Sequence, residues 1–388
     1  MIQALLAGAV LAGLDVLEAS GGAPLRGRRV GLVSHAAAVS ADGRRSLDVL
    51  RANGVAVVRL FAPEHGWRGR AAAGEAVADD REAGLPLVSL HGPRSKPTPR
   101  DLEGLEALVV DLQDAGVRFY TYASTLLLCL EAASESGLEV VVLDRPNPLG
   151  GILVEGPLSD ASTPRTLLSL APGPLVHGLT LGELARVWAQ RSKLAMRLTV
   201  VPMRGWRREM RWEETGRAWI PPSPNLRSPE AALAYPGTAL LEATNLSEGR
   251  GTEAPFLLLG APWLDAVALA RGADAGVFGF VLSPAAFTPR ASDAAPSPKY
   301  RDARCHGLSV SASPAVLRPY ALGLALLAAA RRQQGFEWLR GGAALDALLG
   351  TRRVREAMER GEPVEGILAT DAAAVDAFGR ERAPLLLY

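Results

Sequence analysis

The sequence has little lysine and almost no cysteine. Lysine occurs only at Lys96, Lys193 and Lys299, so nearly all of the positive charge is carried by arginine. Cys129 and Cys305 are too few for a disulfide framework, and two thiols in a chain of 388 residues are more typical of reduced core side chains than of a disulfide. No group of cysteines and histidines has zinc-ligand spacing. We therefore expect neither a disulfide scaffold nor a metal site.

An excess of one charge and a long apolar run are both missing. Forty-two Lys and Arg residues against 41 Asp and Glu residues give a formal net charge of +1. This balance argues against a nucleic-acid partner, because such proteins usually present a basic face. The stretch 1–20 lacks a basic leader region, Asp15 interrupts its apolar part, and no run reaches the roughly 18 apolar residues of a membrane helix. We expect an ordinary first helix there, no membrane insertion and a cytoplasmic protein.

Short apolar runs alternate with helical segments in the first 150 residues. The segments 29–35, 55–62, 86–91, 107–112 and 139–143 are predicted strands, and 46–52 and 122–136 are predicted helices. Near-continuous Val and Leu runs separated by helices are typical of parallel strands that are covered on both faces. The first part of the chain is therefore expected to form an α/β fold with an open parallel sheet. No G-x-G-x-x-G motif follows the first strand, so we expect no dinucleotide cofactor.

The pattern changes after Tyr235-Pro236-Gly237. A chain of this length is typical of two or three domains of about 150 residues, or of one large domain with an addition. Predicted elements in the later parts of the chain are a helix at 181–191, strands at 197–202, 277–282 and 308–312, and helices at 320–333 and 343–349. We therefore predict a first domain over 1–236 and a smaller α+β domain over 237–388.

Ionisable and polar residues follow four of the predicted strands at the point where each strand ends. They are His35 after the first, Glu64 and His65 after the second, Asp111, Asp114, Arg118 and Tyr120 after the fourth, and Asp144, Arg145 and Asn147 after the fifth. Ligands of open parallel sheets bind beyond the carboxyl ends of the strands, so we expect these groups in one cleft. For any one of them the alternative is a solvated loop charge or a helix N-cap.

Glu64-His65-Gly66 is the most suggestive short motif. The glycine allows a sharp turn, and a glutamate enclosed by Phe61 and Trp67 is expected to have a raised pKa and to act as a general acid. The alternative is an ion pair between Glu64 and Arg68. No serine-hydrolase elbow and no phosphate-binding loop is present.

Several motifs together resemble one family. They are Pro63-Glu64-His65-Gly66, Asp111-Leu112-Gln113-Asp114, Arg118-Phe119-Tyr120-Thr121-Tyr122, Asp144-Arg145-Pro146-Asn147-Pro148, Pro222-Ser223-Pro224-Asn225, Tyr235-Pro236-Gly237, 244–252, Gly260-Ala261-Pro262-Trp263 and Leu385-Leu386-Leu387-Tyr388. Their order resembles that of the bacterial exo-β-N-acetylmuramidases, glycoside hydrolase family 171, formerly a domain of unknown function. The resemblance covers residues 12–388. Ser34-His35 and Glu242-Ala243-Thr244 depart from the family's usual Thr-Asn and Glu-Gly-Thr.

This resemblance implies a Rossmann-like catalytic domain, a smaller C-terminal domain and an active site in the cleft between them. It also implies release of N-acetylmuramic acid from the non-reducing ends of peptidoglycan fragments, for cell-wall turnover or recycling, with a muropeptide or a MurNAc-GlcNAc-type glycan as substrate. The alternatives are a non-catalytic glycan-binding protein and a cofactor-dependent α/β enzyme.

In a metal-independent hydrolase of this kind, Glu64 is the expected general acid and His65 the residue that orients it. Asp111 or Asp114 is then the second carboxylate. The candidate substrate-binding residues are His35, Arg118, Tyr120, Asp144, Arg145, Asn147, Asn225, Arg227, Asn245 and Arg250. Arg250 lies between two glycines and is the leading candidate for the lactyl carboxylate, since guanidinium binds carboxylates bidentately. The alternative for Arg250 is an ion pair with Glu248 or Glu253.

Overall fold

The computed structural model describes residues 8–313 and 317–388. Part of the predicted first helix lies in 1–7, outside the described residues. Within them the helix, α1, spans Gly13–Ala19. No helix among the described residues is long and apolar enough to cross a membrane. The cytoplasmic location stays a prediction.

The first part of the chain alternates strands and helices as the apolar runs predict. The strands are β1 (Arg29–Ser34), β2 (Ala56–Ala62), β3 (Asp80–Glu82), β4 (Leu85–Ser89), β5 (Ala107–Asp111), β6 (Glu139–Leu143) and β7 (Leu198–Val201). The helices after α1 are α2 (Ser46–Ala52), α3 (Pro99–Leu102), α4 (Thr121–Glu135) and α5 (Leu181–Arg191). A 3-10 turn follows at Trp212–Thr215.

These strands form one sheet in the order β3-β4-β2-β1-β5-β6-β7. Every neighbouring pair is parallel except β3 with β4. Without the short β3, the parallel strands lie in the chain order 3-2-1-4-5-6, which is the Rossmann arrangement. All five residues of β5 and of β6 are buried, as expected for strands covered by helices on both faces. The predicted Rossmann-like fold is confirmed.

The later part of the chain is mixed. Its elements are α6 (Pro229–Thr238), β8 (Leu258–Ala261), α7 (Ala266–Ala273), β9 (Phe280–Phe287), β10 (Cys305–Ala312), α8 (Pro319–Ala330), α9 (Ala343–Leu349), α10 (Arg353–Glu359) and α11 (Val364–Arg382). Short 3-10 segments lie at Ala239–Ala243, Ala275–Phe278, Leu339–Gly342 and Ala383–Leu385. The second sheet is antiparallel with the order β8-β10-β9. This confirms the predicted α+β class, although the sequence pattern did not predict α6, β8, α7, α10 or α11.

Helices α6 and α8 cross at a pair of glycines. A Cβ atom on Gly237 would lie 1.9 Å from the Pro319 carbonyl oxygen, and one on Gly323 would lie 2.7 Å from Gly237. The two backbones therefore touch where Tyr235-Pro236-Gly237 was predicted to mark a boundary. Residue 236 lies inside α6, and the domain boundary itself stays a prediction.

Strand β9 starts three residues later than predicted. Ala275–Phe278 form a 3-10 turn, and Gly279, with φ of 80°, reverses the chain before β9 begins. Cys129 and Cys305 are both free and buried, as expected for two cysteines in a chain of this size.

Candidate active site

A cavity of about 320 Å³ lies between residues that precede position 236 and residues that follow it. The lining residues that precede position 236 are Glu64, His65, Ala73, Gly74, Phe119, Tyr120, Thr121, Leu168, Ser223 and Tyr235. The lining residues that follow position 236 are Glu242, Ala243, Arg250, Phe256, Arg340, Ala344, Ala347 and Leu348. Of the residues proposed from the sequence, Glu64, His65, Tyr120 and Arg250 line this cavity.

Glu64 follows β2 and is held by neutral donors. Its Oε2 atom accepts a hydrogen bond of 2.7 Å from the Thr121 hydroxyl at the start of α4, and its Oε1 atom accepts one of 2.7 Å from the Gly74 N–H. The Nε2 atom of His91 lies 3.8 Å from Oε1. Arg68, the partner considered in the sequence, instead pairs with Glu82 at 3.0 Å. The Glu64 carboxylate is therefore oriented without a bound arginine.

The expectation of a raised pKa for Glu64 is wrong. Burial raises the pKa of this carboxyl group. His65, the Gly74 N–H, the Thr121 hydroxyl and His91 together lower it by more than burial raises it, so the net pKa lies below its ordinary value. Hydrogen bonds donated to a carboxylate favour its charged form. Glu64 is therefore ionised at neutral pH.

His65 has a strained backbone and a defined tautomer. Its φ angle is 69°, in the left-handed region, and Gly66 follows with φ of 72°. The ring Nδ1 atom lies 2.8 Å from the Ala71 carbonyl oxygen, which can only accept, so the proton is assigned to Nδ1. Burial lowers the pKa of His65, so the ring is neutral with Nε2 as its acceptor atom.

Aromatic rings form one wall of the cavity. Tyr235 packs edge to face on Phe256 at 4.7 Å and on Phe119 at 5.4 Å, measured between ring centroids. Tyr120 packs in the same way on Tyr122 at 4.8 Å. The Tyr120 hydroxyl is buried. A wall of this kind suits the apolar face of a sugar ring.

Glu242 is a second carboxylate in the cavity, and it was not predicted as a site residue. Its Oε1 atom accepts from Arg250 at 2.6 Å, and Arg250 also lies 3.3 Å from Glu248. The guanidinium carbon of Arg250 lies 5.1 Å from the ring centroid of Phe256. The alternative considered for Arg250, an ion pair with Glu248, is therefore observed. Glu253 lies instead 3.5 Å from Arg227.

Asp111 does not line the cavity. It is fully buried at the centre of the sheet, where Arg145 Nε donates to Oδ1 at 2.5 Å and Arg145 Nη2 donates to Oδ2 at 2.9 Å. The Ser46 hydroxyl adds a bond of 2.5 Å. Both Asp111 and Arg145 thus form a buried ion pair, because burial of either charge alone is costly.

Asp114 is also buried outside the cavity lining. Its Oδ2 atom accepts from the Gly116 N–H at 2.7 Å, and its Oδ1 atom has no partner among the described residues. Burial raises the pKa of Asp114 to about 7, against the lowering effect of the Gly116, Ala115 and Ala123 N–H groups. Ala123 belongs to the first turn of α4. Asp114 therefore lies at the N-terminus of this helix, as the helix-cap alternative predicted, and not in the cleft.

Asp144, Arg118 and Asn147 hold distant segments together. Asp144 accepts from the Thr180 hydroxyl at 2.7 Å, the Gly182 N–H at 2.8 Å and the Tyr388 hydroxyl at 2.7 Å. Arg118 is fully buried and donates to the carbonyl oxygens of Pro157, Gly173 and Leu349. Asn147 donates to the Leu179 carbonyl oxygen and accepts from the Leu149 N–H. These polar groups are used within the protein and do not line the cavity.

The other predicted substrate-binding residues also lie outside the cavity lining. His35 accepts a bond of 2.9 Å from the Gln113 N–H. Asn225 donates to the Ala294 carbonyl oxygen, Arg227 donates to that of Thr252, and Asn245 donates to that of Gly335. Each of the four thus fixes a loop.

The polar cavity residues that the sequence did not indicate are Thr121, Ser223, Tyr235, Glu242 and Arg340. Four of them lie inside or beside motifs that carried the family resemblance, which was the available signal. Arg340 lies in no such motif. Among the described residues, no group of three or more His, Cys, Asp or Glu side chains is arranged to hold a metal ion.

Comparisons with known proteins cover both parts of the chain. Two family models match the chain: exo-β-N-acetylmuramidase NamZ, N-terminal, over residues 30–230, and exo-β-N-acetylmuramidase NamZ, C-terminal, over residues 233–388. The peptidoglycan β-N-acetylmuramidase NamZ of Bacillus subtilis is 36% identical over 386 residues, which is 98% of this chain and 91% of the relative.

Two solved structures of DUF1343 family proteins from Bacteroides fragilis are also similar. Their TM-scores are 0.88 and 0.78, and each is 30% identical to this chain. Each alignment covers 98% of this chain and 99% of the other.

Proposed function

Because the chain belongs to the NamZ family of exo-β-N-acetylmuramidases, which are glycosidases, we propose that it releases N-acetylmuramic acid from the non-reducing end of peptidoglycan fragments. The observation that carries this proposal is the ionised Glu64 carboxylate in a cavity of about 320 Å³. Small-molecule sites measure about 300–1,000 Å³, so the cavity suits a single sugar residue better than a long chain.

Glu64 is the carboxylate that faces the developing positive charge. Glycoside hydrolysis passes through an oxocarbenium-like transition state and generally uses two carboxylates. An ionised group stabilises that cation or acts as nucleophile or base, whereas a proton donor has to be protonated. The lowered pKa of Glu64 therefore supports the first role over the general-acid role expected from the sequence.

Glu242 is the second carboxylate in this scheme, in place of Asp111 and Asp114. It lines the same cavity, and 31% of its side chain is exposed in the free protein. Arg250 binds one of its oxygens, and the rest of the carboxylate is the part of Glu242 that a bound sugar can reach.

Thr121 positions Glu64. Thr121 donates directly to the carboxylate, and His65, the next residue in the chain, lines the same cavity with its ring fixed by the Ala71 carbonyl oxygen. The rings of Tyr120 and Tyr235 cover a sugar face.

Turnover tests the proposed function directly. We expect the purified protein to release N-acetylmuramic acid from a chromogenic N-acetylmuramide and from a MurNAc-GlcNAc disaccharide, and to act much more slowly on a matched N-acetylglucosaminide. Binding of the disaccharide without release would contradict the proposal and support a glycan-binding protein. Stabilisation by NAD or ATP in a thermal-shift screen, without turnover of either glycoside, would support a cofactor-dependent enzyme instead.

A further inference from the structure

Two arginines line the cavity, and they differ in how they are bound. Arg250 is engaged by Glu242 at 2.6 Å and by Glu248 at 3.3 Å, and it stacks on Phe256. Lys299, in the adjoining groove, donates to three carbonyl oxygens and to Glu248. The charge of each of these two cations is thus already matched within the protein.

Arg340 is the other cavity arginine, and its side chain is exposed. Among residues 8–313 and 317–388 its guanidinium has no hydrogen-bond or ion-pair partner. All five of its N–H donors are therefore available to a ligand. A carboxylate is the ligand group that this planar fork binds best, through two parallel hydrogen bonds.

The backbone at Arg340 is strained. Its φ angle is 52°, in the left-handed region, and Gly341 and Gly342 follow with φ angles of 59° and 93°. Glycine is the expected residue at all three positions, yet the first is an arginine. No interaction of this side chain within the described protein explains the strain. Strained positions of this kind cluster at ligand-binding and active sites.

We infer that Arg340 binds the lactyl carboxylate of N-acetylmuramic acid and so distinguishes this sugar from N-acetylglucosamine. The inference rests on the proposed function, since that function supplies the carboxylate. Ala344, Ala347 and Leu348 of α9 line the cavity beside Arg340 and provide an apolar surface for the lactyl methyl group. Arg250, the candidate from the sequence, instead maintains the cavity wall.

The decisive variant is Arg340→Gly, because glycine adopts the left-handed backbone without strain and removes the guanidinium. We expect kcat/KM on the chromogenic N-acetylmuramide to fall about 10- to 50-fold, the range of a charge-assisted contact at a partly solvated site. We expect no more than a twofold change on the matched N-acetylglucosaminide, and an unchanged or higher Tm. Arg340→Lys should recover part of the loss.

Arg332→Ala is the matched control, because Arg332 is exposed and lies outside the cavity lining. It should leave both substrates unaffected. Equal losses on the two sugars in Arg340→Gly, or no loss on either, would overturn the inference while wild-type turnover of the muramide still supported the proposed function. Absence of turnover in the wild type would instead overturn the proposed function.

A third substrate separates two sources of the carboxylate. In an N-acetylmuramide that carries L-Ala-D-isoGln, the lactyl carboxyl group is an amide. The Arg340→Gly effect should shrink to less than threefold on this substrate. A loss as large as on the peptide-free muramide would show that Arg340 binds the peptide and would overturn the assignment to the lactyl group.

Discussion

Two carboxylates at the same edge of the large sheet differ in their surroundings: one lines the cavity and the other is buried in an ion pair. Glu64 follows β2 and Asp111 ends β5, and both were predicted to meet in one cleft. Glu64 is held by a hydroxyl and a backbone N–H and lines the cavity, with 12% of its side chain exposed. Asp111 is completely buried under Arg145 and Ser46.

The difference lies in the partner. An arginine that binds a carboxylate through both oxygens neutralises the carboxylate and occupies its lone pairs. The Asp111–Arg145 pair is of this kind, and it stabilises the structure of the sheet. Neutral donors orient a carboxylate and leave its charge uncompensated. A strand-end carboxylate is therefore informative about chemistry only once its partners are known.

Removing the charge of Glu64 is expected to have the largest effect on activity. Glu64→Gln retains the size of the side chain, and we expect a loss of about 10²- to 10⁴-fold in kcat with an unchanged fold, as for other positioned carboxylates. The measurement is kcat on the chromogenic muramide, with circular dichroism as the check on folding. Glu135→Gln, an exposed glutamate paired with Lys96, is the control. Retention of more than about a tenth of the activity would remove Glu64 from its proposed role.

The corresponding acid-to-amide substitution at Asp111 should reduce the stability of the fold and leave catalysis nearly unchanged. Asp111→Asn leaves the Arg145 charge buried without its carboxylate, which costs about 3–5 kcal/mol in free energy of unfolding. Urea denaturation measures this loss, and kcat per folded molecule should stay within about twofold of the wild type. Asp302→Asn breaks an exposed pair with Arg290 and should cost at most about 1 kcal/mol. A large drop in kcat in folded Asp111→Asn would show that Asp111 acts in catalysis.

Asp114 is a third strand-end carboxylate, and its burial should make the free energy of unfolding depend on pH. Its pKa in the folded protein is about 7 against an ordinary 3.8, so the folded state holds the proton more tightly than the unfolded state. The stability from this group is fully present below pH 3.8 and is lost as pH rises through about 7. Asp114→Asn cannot lose a proton, and it should make the fall in unfolding free energy between pH 4 and 8 smaller by about 1–4 kcal/mol. An identical pH dependence in the variant and the wild type would contradict the raised pKa.

The smallest expected effect is that of metal removal. The described residues contain no group of three or more metal-ligating side chains, and Asp111 and Asp114 are bound to other protein groups. Prolonged dialysis against EDTA should leave kcat unchanged. Loss of turnover that a divalent ion restores would contradict the assignment of the reaction to Glu64 and Glu242.

Local sequence pattern predicted which site residues follow the strands, but only some of them reach the cavity. Glu64 and His65 do so because the loop after β2 turns at Gly66, a signal that is visible in the sequence. Asp111 does not, because its partners Arg145 and Ser46 lie 34 and 65 residues away in the chain. Glu242 and Arg340 were missed because the cavity is completed by segments that lie far from β2 in sequence.

The sequence by itself determined the alternation of buried strands and helices, the parallel sheet that follows from it and the family. Hydrophobic periodicity is local, so a single chain segment carries that information. Only the tertiary structure decided which polar side chains are neutralised by an ion pair and which keep their charge for a ligand. That decision depends on burial and on partners from distant segments, and both come into existence only when the sheet and the second part of the chain pack together.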